Sequence, residues 1–482
     1  MRVVSVLLAA AVTTALTSTP QTATAVPPAT SPQLSADGVE VERPVGGRTV
    51  TVRRAKRPVT VPILARRSGE AALAVVAAAP GVSWSLPGRE SAVLSVDVDG
   101  RYVTDLVVTS ARRTPRALAL GHLRRGLHRI TLRFATDRTP AGAHQVDLRD
   151  VRLSVAIPNG EAQLARRHAP ILIGRVLPEL GSPFQNATTD TPLLAWHELQ
   201  TAPTPGLRRL VYSIIWSNED GGTDSPALMA RWGRTTDIEW VYAVDVDADG
   251  NRVGQAIYHG PGHTTLPFDG AYDGEHPVLQ TCTVNNTVCA KAAGPMRFFL
   301  AADQTRPPLR AREYLMDANP WTYRVMAEEL QREGKIETPP DPQTPAVGDQ
   351  RTYLYLEVDK DTAPATGAAP SVAVLVRLRS GAVYRSDHAR PSWAIARDDP
   401  AATTVELPVG TVPADIADVA VTRVPAAVDN LAAVTVTDVN RAFFLGENWL
   451  PQRSFIAVHG IGAQLTAAAP TTVVWSGGSS AL

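Results

Sequence analysis

The sequence predicts a mainly β protein, built as two or three β-sandwich, jelly-roll-like domains with few helices. Three observations carry this. The chain has 482 residues, too many for one hydrophobic core. It holds 39 prolines and 34 glycines, the residues that mark turns between short strands. Between those turns lie Val- and Thr-rich runs in which apolar and polar residues alternate, the period of a half-buried strand.

Residues 1–25 read MRVVSVLLAAAVTTALTSTPQTATA. One Arg precedes an apolar stretch, and Ala23-Thr24-Ala25 satisfies the small-residue rule for signal peptidase, so a signal peptide cleaved near Ala25 and a secreted protein are expected. No later stretch approaches the ~18 apolar residues that span a bilayer, so no transmembrane segment is expected in the mature chain. Residues 26–37 (VPPATSPQLSAD) read as a linker.

A strand-rich block follows over 38–157, with a hairpin turning on Asp99-Gly100. It carries 20 Lys+Arg against 10 Asp+Glu. Its arginines are spread out rather than clustered with stacking aromatics, so no nucleic acid partner is expected. A central β-rich domain is placed at 165–337. It has one helix near 320–333, where Asn319 is the N-cap, Pro320 the first helical residue and Gly334 the stop. Trp321, Val325 and Leu330 form its apolar stripe. The only cysteines, Cys282 and Cys289, flank an Asn-Asn tip in TCTVNNTVCA and predict a disulfide-bonded hairpin. A Pro-rich linker covers 338–349. The C-terminal β-sandwich-like domain runs over 350–478, with strands in TYLYLEV, SVAVLVRLRS, AAVTVTDV, SFIAVHG and TTVVWS.

The chemistry concentrates in the central block. Between Trp216 and His276 there are 11 acids against three arginines. In RWGRTTDIEWVYAVD, Asp237 and Glu239 sit two apart in an alternating run with Ile238, Trp240, Tyr242 and Val244. A strand puts both carboxylates on one face, roughly 7 Å apart. At that spacing their repulsion is about 0.6 kcal/mol in water and about 2.4 kcal/mol at an effective dielectric near 20. An exposed pair is thus stable unaided, whereas a buried pair needs a metal, a nearby Arg (Arg231 or Arg234) or a raised pKa. His259-Gly-Pro-Gly-His263 brings two imidazoles close on one loop. Asp237, Glu239, His259 and His263 are therefore the candidate metal ligands, with calcium or magnesium as the expected cation. Asp245, Asp247 and Asp249 open like a calcium loop, but Ala256 stands where the closing Glu belongs, and Asp249-Gly250 reads better as a hairpin tip. WHELQT (196–201) lacks the second His of a zinc helix, and Ser386-Asp387-His388 is adjacent in sequence without forming a triad pattern.

Three resemblances attach to these residues. Val96-Asp97-Val98-Asp99-Gly100, Gly126-Leu127-His128, Leu132-Arg133-Phe134 and Asp137 resemble the calcium-dependent xylan-binding modules, which implies a jelly roll, sugar binding and a calcium role for Asp137. His168-Ala169-Pro170, Val211-Tyr212-Ser213, Trp216, Gly233 through Glu239, and His259 or His263 resemble the D-x-E strand and its surroundings in the necrosis-inducing and vacuolar-sorting-associated proteins. That likeness implies divalent-metal ligation by Asp237 and Glu239, while the family's ligand His before the Asp is Thr236 here and its earlier His is Arg234. The whole block resembles an uncharacterised family of secreted bacterial proteins. TDIEW is also similar to the E-I-D-I-E strand of laminarinase-type glycosidases, but the nucleophile position is Thr235. The expected function is noncatalytic binding by an exported protein, to a cell-wall or environmental polysaccharide. The alternative is a metal-dependent hydrolase acting from the central domain.

Overall fold

The computed structural model describes residues 39–42, 49–219 and 224–477. The expected signal peptide and the linker at 26–37 lie outside the described residues. The protein is mainly β, in several sheets with few helices. No helix among the described residues is long and apolar enough to cross a membrane.

The first block forms two antiparallel sheets. One runs Val39–Glu42, Gln145–Ala156, Gly69–Ala78, Thr114–Leu123, with Val50–Arg53 also on the Gln145–Ala156 strand. The other runs Val59–Ala65, Gly126–Phe134, Ala92–Val98, Arg101–Val108. Their inward residues, among them Leu73, Val75, Leu94, Val96, Ile130 and Leu153, share one core. Asp99 and Gly100 both have positive φ, 52° and 85°, as a type I′ hairpin requires of its two central residues.

The central block adds a six-stranded sheet in the order Thr264–Pro267, Arg252–Gly260, Ile238–Val246, Arg208–Trp216, Pro192–Thr201, Gln304–Thr305. A smaller sheet holds Tyr272–Asp273, His276–Thr281, Ile171–Ile173 and Arg297–Phe298. The helix spans Trp321–Arg332 and buries Trp321, Val325 and Leu330. The helix begins one residue later than expected, with Pro320 as its cap residue and no side-chain cap: Thr322 donates to the Asn319 backbone carbonyl, while the Asn319 amide is taken up by Gln304 and the Leu315 carbonyl, and Gly334 stops the run at φ 65°.

The first two blocks are fused rather than tethered. The Thr114–Leu123 strand exchanges backbone bonds with residues 299–301, Ala119 N–H to the Phe299 carbonyl at 2.8 Å and Ala301 N–H to the Ala117 carbonyl at 3.2 Å. One apolar cluster runs without a break from Val52 through the helix to Phe443 and Leu445. The Pro-rich stretch at 338–349 is packed as well: Val347 is buried and its carbonyl accepts from Glu337 N–H at 2.7 Å. Beyond it lie a five-stranded sheet built around Tyr353–Thr362 and Val434–Phe443 and a four-stranded sheet built around Ser371–Leu378 and Ile416–Val424, enclosing a second core.

Candidate metal centre

The Ile238–Val246 strand lies between Arg208–Trp216 and Arg252–Gly260 in the central sheet. Its alternation is not strict, contrary to the sequence reading. Tyr242 pairs with Tyr212, but Ser213 pairs with Trp240, so one extra residue is inserted at Val241. Such a bulge rephases the side chains. Val241 and Tyr242 are therefore both buried, while Glu239 and Trp240 both reach partly exposed positions. Trp240, expected on the apolar face, instead stacks on the His259 ring at 5.0 Å and 17°.

Glu239, His259 and His263 converge, with one ligand atom from each within 4.8 Å of the others. His259 Nδ1 is 3.1 Å from Glu239 Oε2, and His263 Nδ1 is 3.9 Å from Oε1. His259 ends a strand and is 6% exposed, yet its Nδ1 is not aligned on any hydrogen-bond acceptor. Gly262, at φ 69°, turns the chain so that His263 returns over Glu239. The His263 side chain is 52% exposed and that of Glu239 16%, so the centre opens to solvent on the His263 side.

Asp237 is brought alongside but not into this group. It lies just before the strand, 2% exposed, with Oδ2 lacking a hydrogen-bond partner. Burial, then the negative charges of Glu239 and Glu219, push its carboxyl well above the usual range. Burial pushes Glu239 the same way, but His259, Arg312 and His263 outweigh it and hold that carboxyl below its ordinary value. The two acids thus have opposite protonation preferences. Neither of the arginines offered by the sequence forms an ion pair with them. Arg234 pairs with Glu313 at 2.8 Å and donates to the Thr236 carbonyl, and Arg231 lies over Trp232.

A buried polar layer supports the centre, built from residues far apart in the chain that no local pattern marks. Arg175 and Asp190 form an ion pair at 2.6 Å with both side chains fully buried. Asn286, at φ 49° on the tip of the hairpin closed by the Cys282–Cys289 disulfide, donates to Asp190 Oδ1 at 3.0 Å and to the Asn218 carbonyl at 3.2 Å. The neighbouring Asn285 amide lies 2.7 Å from His263 Nε2.

Other polar motifs have ordinary partners. Asp245 is gripped by Arg209 at 2.6 and 2.9 Å, Asp247 accepts from Asn251 N–H, and Gly250 has the positive φ of a hairpin tip. His197 bonds the Ala302 carbonyl and Glu161. Ser386 Oγ accepts from Val374 N–H, Asp387 accepts from Arg385, and His388 packs on Trp393. In the first domain Asp137 is exposed beside Arg138 at 3.6 Å, and Asp99 accepts from His128 and Arg129.

No protein-family model matches the chain, and no curated protein matches it significantly. Solved structures with partial likeness include the CBM36-1 domain of a multidomain xylanase from the hindgut metagenome of Trinervitermes trinervoides, at 11% identity and TM-score 0.18, covering 24% of this chain and 96% of that one. A family 35 carbohydrate-binding module from Clostridium thermocellum matches at 15% identity and TM-score 0.17, with the same coverage of 24% and 96%. The Podospora anserina GH26-CBM35 β-(1,4)-mannanase matches at 11% identity and TM-score 0.17, over 31% of this chain and 40% of that one.

Proposed function

We propose that the protein is an exported, metal-dependent binding protein. In this reading the central domain holds a divalent cation on Glu239, His259 and His263, and the ligand completes the coordination. The observation that carries it is the buried, unaligned Nδ1 of His259 facing Glu239, with His263 closing from the solvent side. Two imidazoles and one carboxylate suit zinc or another first-row transition ion better than the calcium or magnesium expected from the sequence, which favour all-oxygen sites. Tetrahedral bonds of about 2.0–2.1 Å place ligand atoms roughly 3.4 Å apart. The 3.1 Å and 3.9 Å separations, to the two different oxygens of Glu239, lie on either side of that value, and the three ligand atoms fall within 4.8 Å of one another, so a bound cation would draw the side chains together. Ligation through His263 Nδ1 requires the proton on Nε2; the Asn285 Nδ2 amide nitrogen stands 2.7 Å from Nε2, so the amide must turn to present its oxygen there for it to support that tautomer.

Three protein ligands leave a position for a sugar hydroxyl or carboxylate. A polysaccharide ligand is supported by the xylan-module resemblance of the first block and by its excess of 20 basic over 10 acidic residues, which attracts anionic polymers. The hydrolase alternative has one specific support, the buried Asp237 carboxyl two residues from Glu239, whose Oδ2 lacks a hydrogen-bond partner and whose pKa burial raises, as suits a proton-holding group near residues that would hold a cation. Elemental analysis of the full chain after dialysis against zinc, beside Glu239→Ala, tests the centre. One equivalent in the parent and none in the variant is expected; a parent without metal ends the reading. Product release from polysaccharides in the loaded protein, abolished by chelation, would select the hydrolase over the binder.

A further inference from the structure

Trp232, the last residue of the helix Ser225–Trp232, is ringed by four guanidinium groups. Those of Arg397, Arg234, Arg312 and Arg231 lie 3.8, 5.5, 5.5 and 6.0 Å from the indole centroid. No two are therefore more than about 12 Å apart, twice the longest of these distances. They come from three segments of the chain. Arg231 and Arg234 flank the helix end, Arg312 precedes Glu313, and Arg397 reaches across from the C-terminal domain. Arg234 is buried, and the other three and Trp232 are partly exposed.

Their compensation is incomplete. Among the described residues Glu313 is the one carboxylate within ion-pair distance of any of the four, and Arg234 takes it. The remaining bonds go to neutral carbonyls: Arg312 to Ile238 at 2.8 Å, Arg397 to Arg231 at 2.6 Å and to Ala402 at 3.2 Å. Like charges this close in a poorly solvated cluster disfavour one another. Arg397 is brought down to about 9, by burial first, against the pull of Glu313, with Arg312, Arg234 and Arg231 adding to the lowering.

We propose that this cluster is an anion site that receives a tetrahedral oxyanion ester, phosphate or sulfate, on Arg231, Arg312 and Arg397. The planar guanidinium fork matches such oxygens two at a time, and the surplus positive charge is what an anion relieves. The site is separate from the metal reading and does not depend on it. Arg312 nevertheless connects the two, because it holds the carbonyl of Ile238 and its charge acts on Glu239.

The test uses the full chain stripped with EDTA, so that the metal reading plays no part. Isothermal titration is run with sodium sulfate and, in a separate arm, sodium phosphate, at ionic strength fixed with sodium chloride. Saturable one-to-one binding is expected in at least one arm, and the preferred anion names the ester. Both Arg231→Gln and Arg312→Gln should weaken it at least tenfold. Arg231 makes no side-chain hydrogen bond described above, so Arg231→Gln decides the matter should Arg312→Gln, which loses the bond to Ile238, fail to fold. Absence of saturable binding in both arms, or unchanged affinity in folded Arg231→Gln protein, overturns the proposal.

Discussion

His259 Nδ1 lies 3.1 Å from a Glu239 oxygen yet is not aligned on it, an arrangement better suited to sharing a third atom than to a hydrogen bond. If a cation is that atom, the substitutions rank in a definite order. Asn285→Ala removes only the group that orients His263, and outer-shell partners are typically worth about 10–100-fold in metal affinity. Glu239→Ala removes a ligand and should exceed that range. Competition against a zinc-responsive dye measures both; equal losses in the two variants would contradict the ranking. At this scale the sequence was informative where chemistry follows from residue type. D-x-E and HGPGH named all three converging side chains. It was uninformative where partners are distant in the chain: nothing near Arg234 announces Glu313, 79 residues away, and nothing near Asp190 announces Asn286, 96 residues away.

Three elements hold the centre in place, the bulged Ile238–Val246 strand with Glu239, the Arg252–Gly260 strand with His259, and the disulfide hairpin. The hairpin contributes twice, through Asn285 on His263 and through Asn286 on the buried Arg175–Asp190 pair. Cys282→Ser/Cys289→Ser opens a loop whose cysteines are 7 apart in sequence, and chain entropy puts the loss at roughly 2–3 kcal/mol. Metal affinity should fall with it, because both asparagines lose their anchor. Denaturant melts and dye competition on the double variant check this, and unchanged metal affinity would show that the hairpin only staples. Asp190→Ala, leaving Arg175 buried without its carboxylate, should cost more, about 3–5 kcal/mol in the same melts. Elements were legible where a turn or stop residue or a β-branched run marked them. The Asp99-Gly100 hairpin, the helix with its Gly334 stop and five C-terminal strands follow from such marks, even though Ala92–Val98 is buried throughout. The Ala401–Glu406 and Ile416–Val424 strands did not: they are buried almost throughout and show no period of two. The bulge at Val241 left no mark either, since inserting one residue into VYAV keeps the composition of a strand.

At the scale of the whole molecule, the seam between the first and central blocks contributes to how stability responds to pH. Glu328, 8% exposed, lies on the central helix and accepts from Trp84 N–H of the first block at 3.2 Å, while Glu329 takes the Trp84 indole N–H. Burial raises the Glu328 carboxyl from 4.5 to about 7, against the pull of its hydrogen bond and Arg324. A raised acid stabilises the fold fully below its unfolded pKa and loses that contribution as pH climbs through the folded value, so this one fades between about 4.5 and 7. Across the same seam His276 packs on Phe299 and faces Glu70 at 3.6 Å, and burial lowers it from 6.5 to about 4. A depressed histidine has the opposite sign: its contribution is present above 6.5 and is lost as pH falls toward 4. The two groups therefore tilt the profile in opposite directions over nearly the same interval. Glu328→Gln keeps an acceptor for Trp84 N–H but cannot ionise, so the variant should gain on the parent as pH rises, by up to roughly 3 kcal/mol at pH 8. His276→Gln should gain on the parent in the other direction, below pH 6. Urea unfolding of parent and both variants at pH 5 and pH 8 measures this. A gap between Glu328→Gln and parent that stays constant with pH would mean the carboxyl is solvated in the fold and the seam is looser than its hydrogen bonds describe.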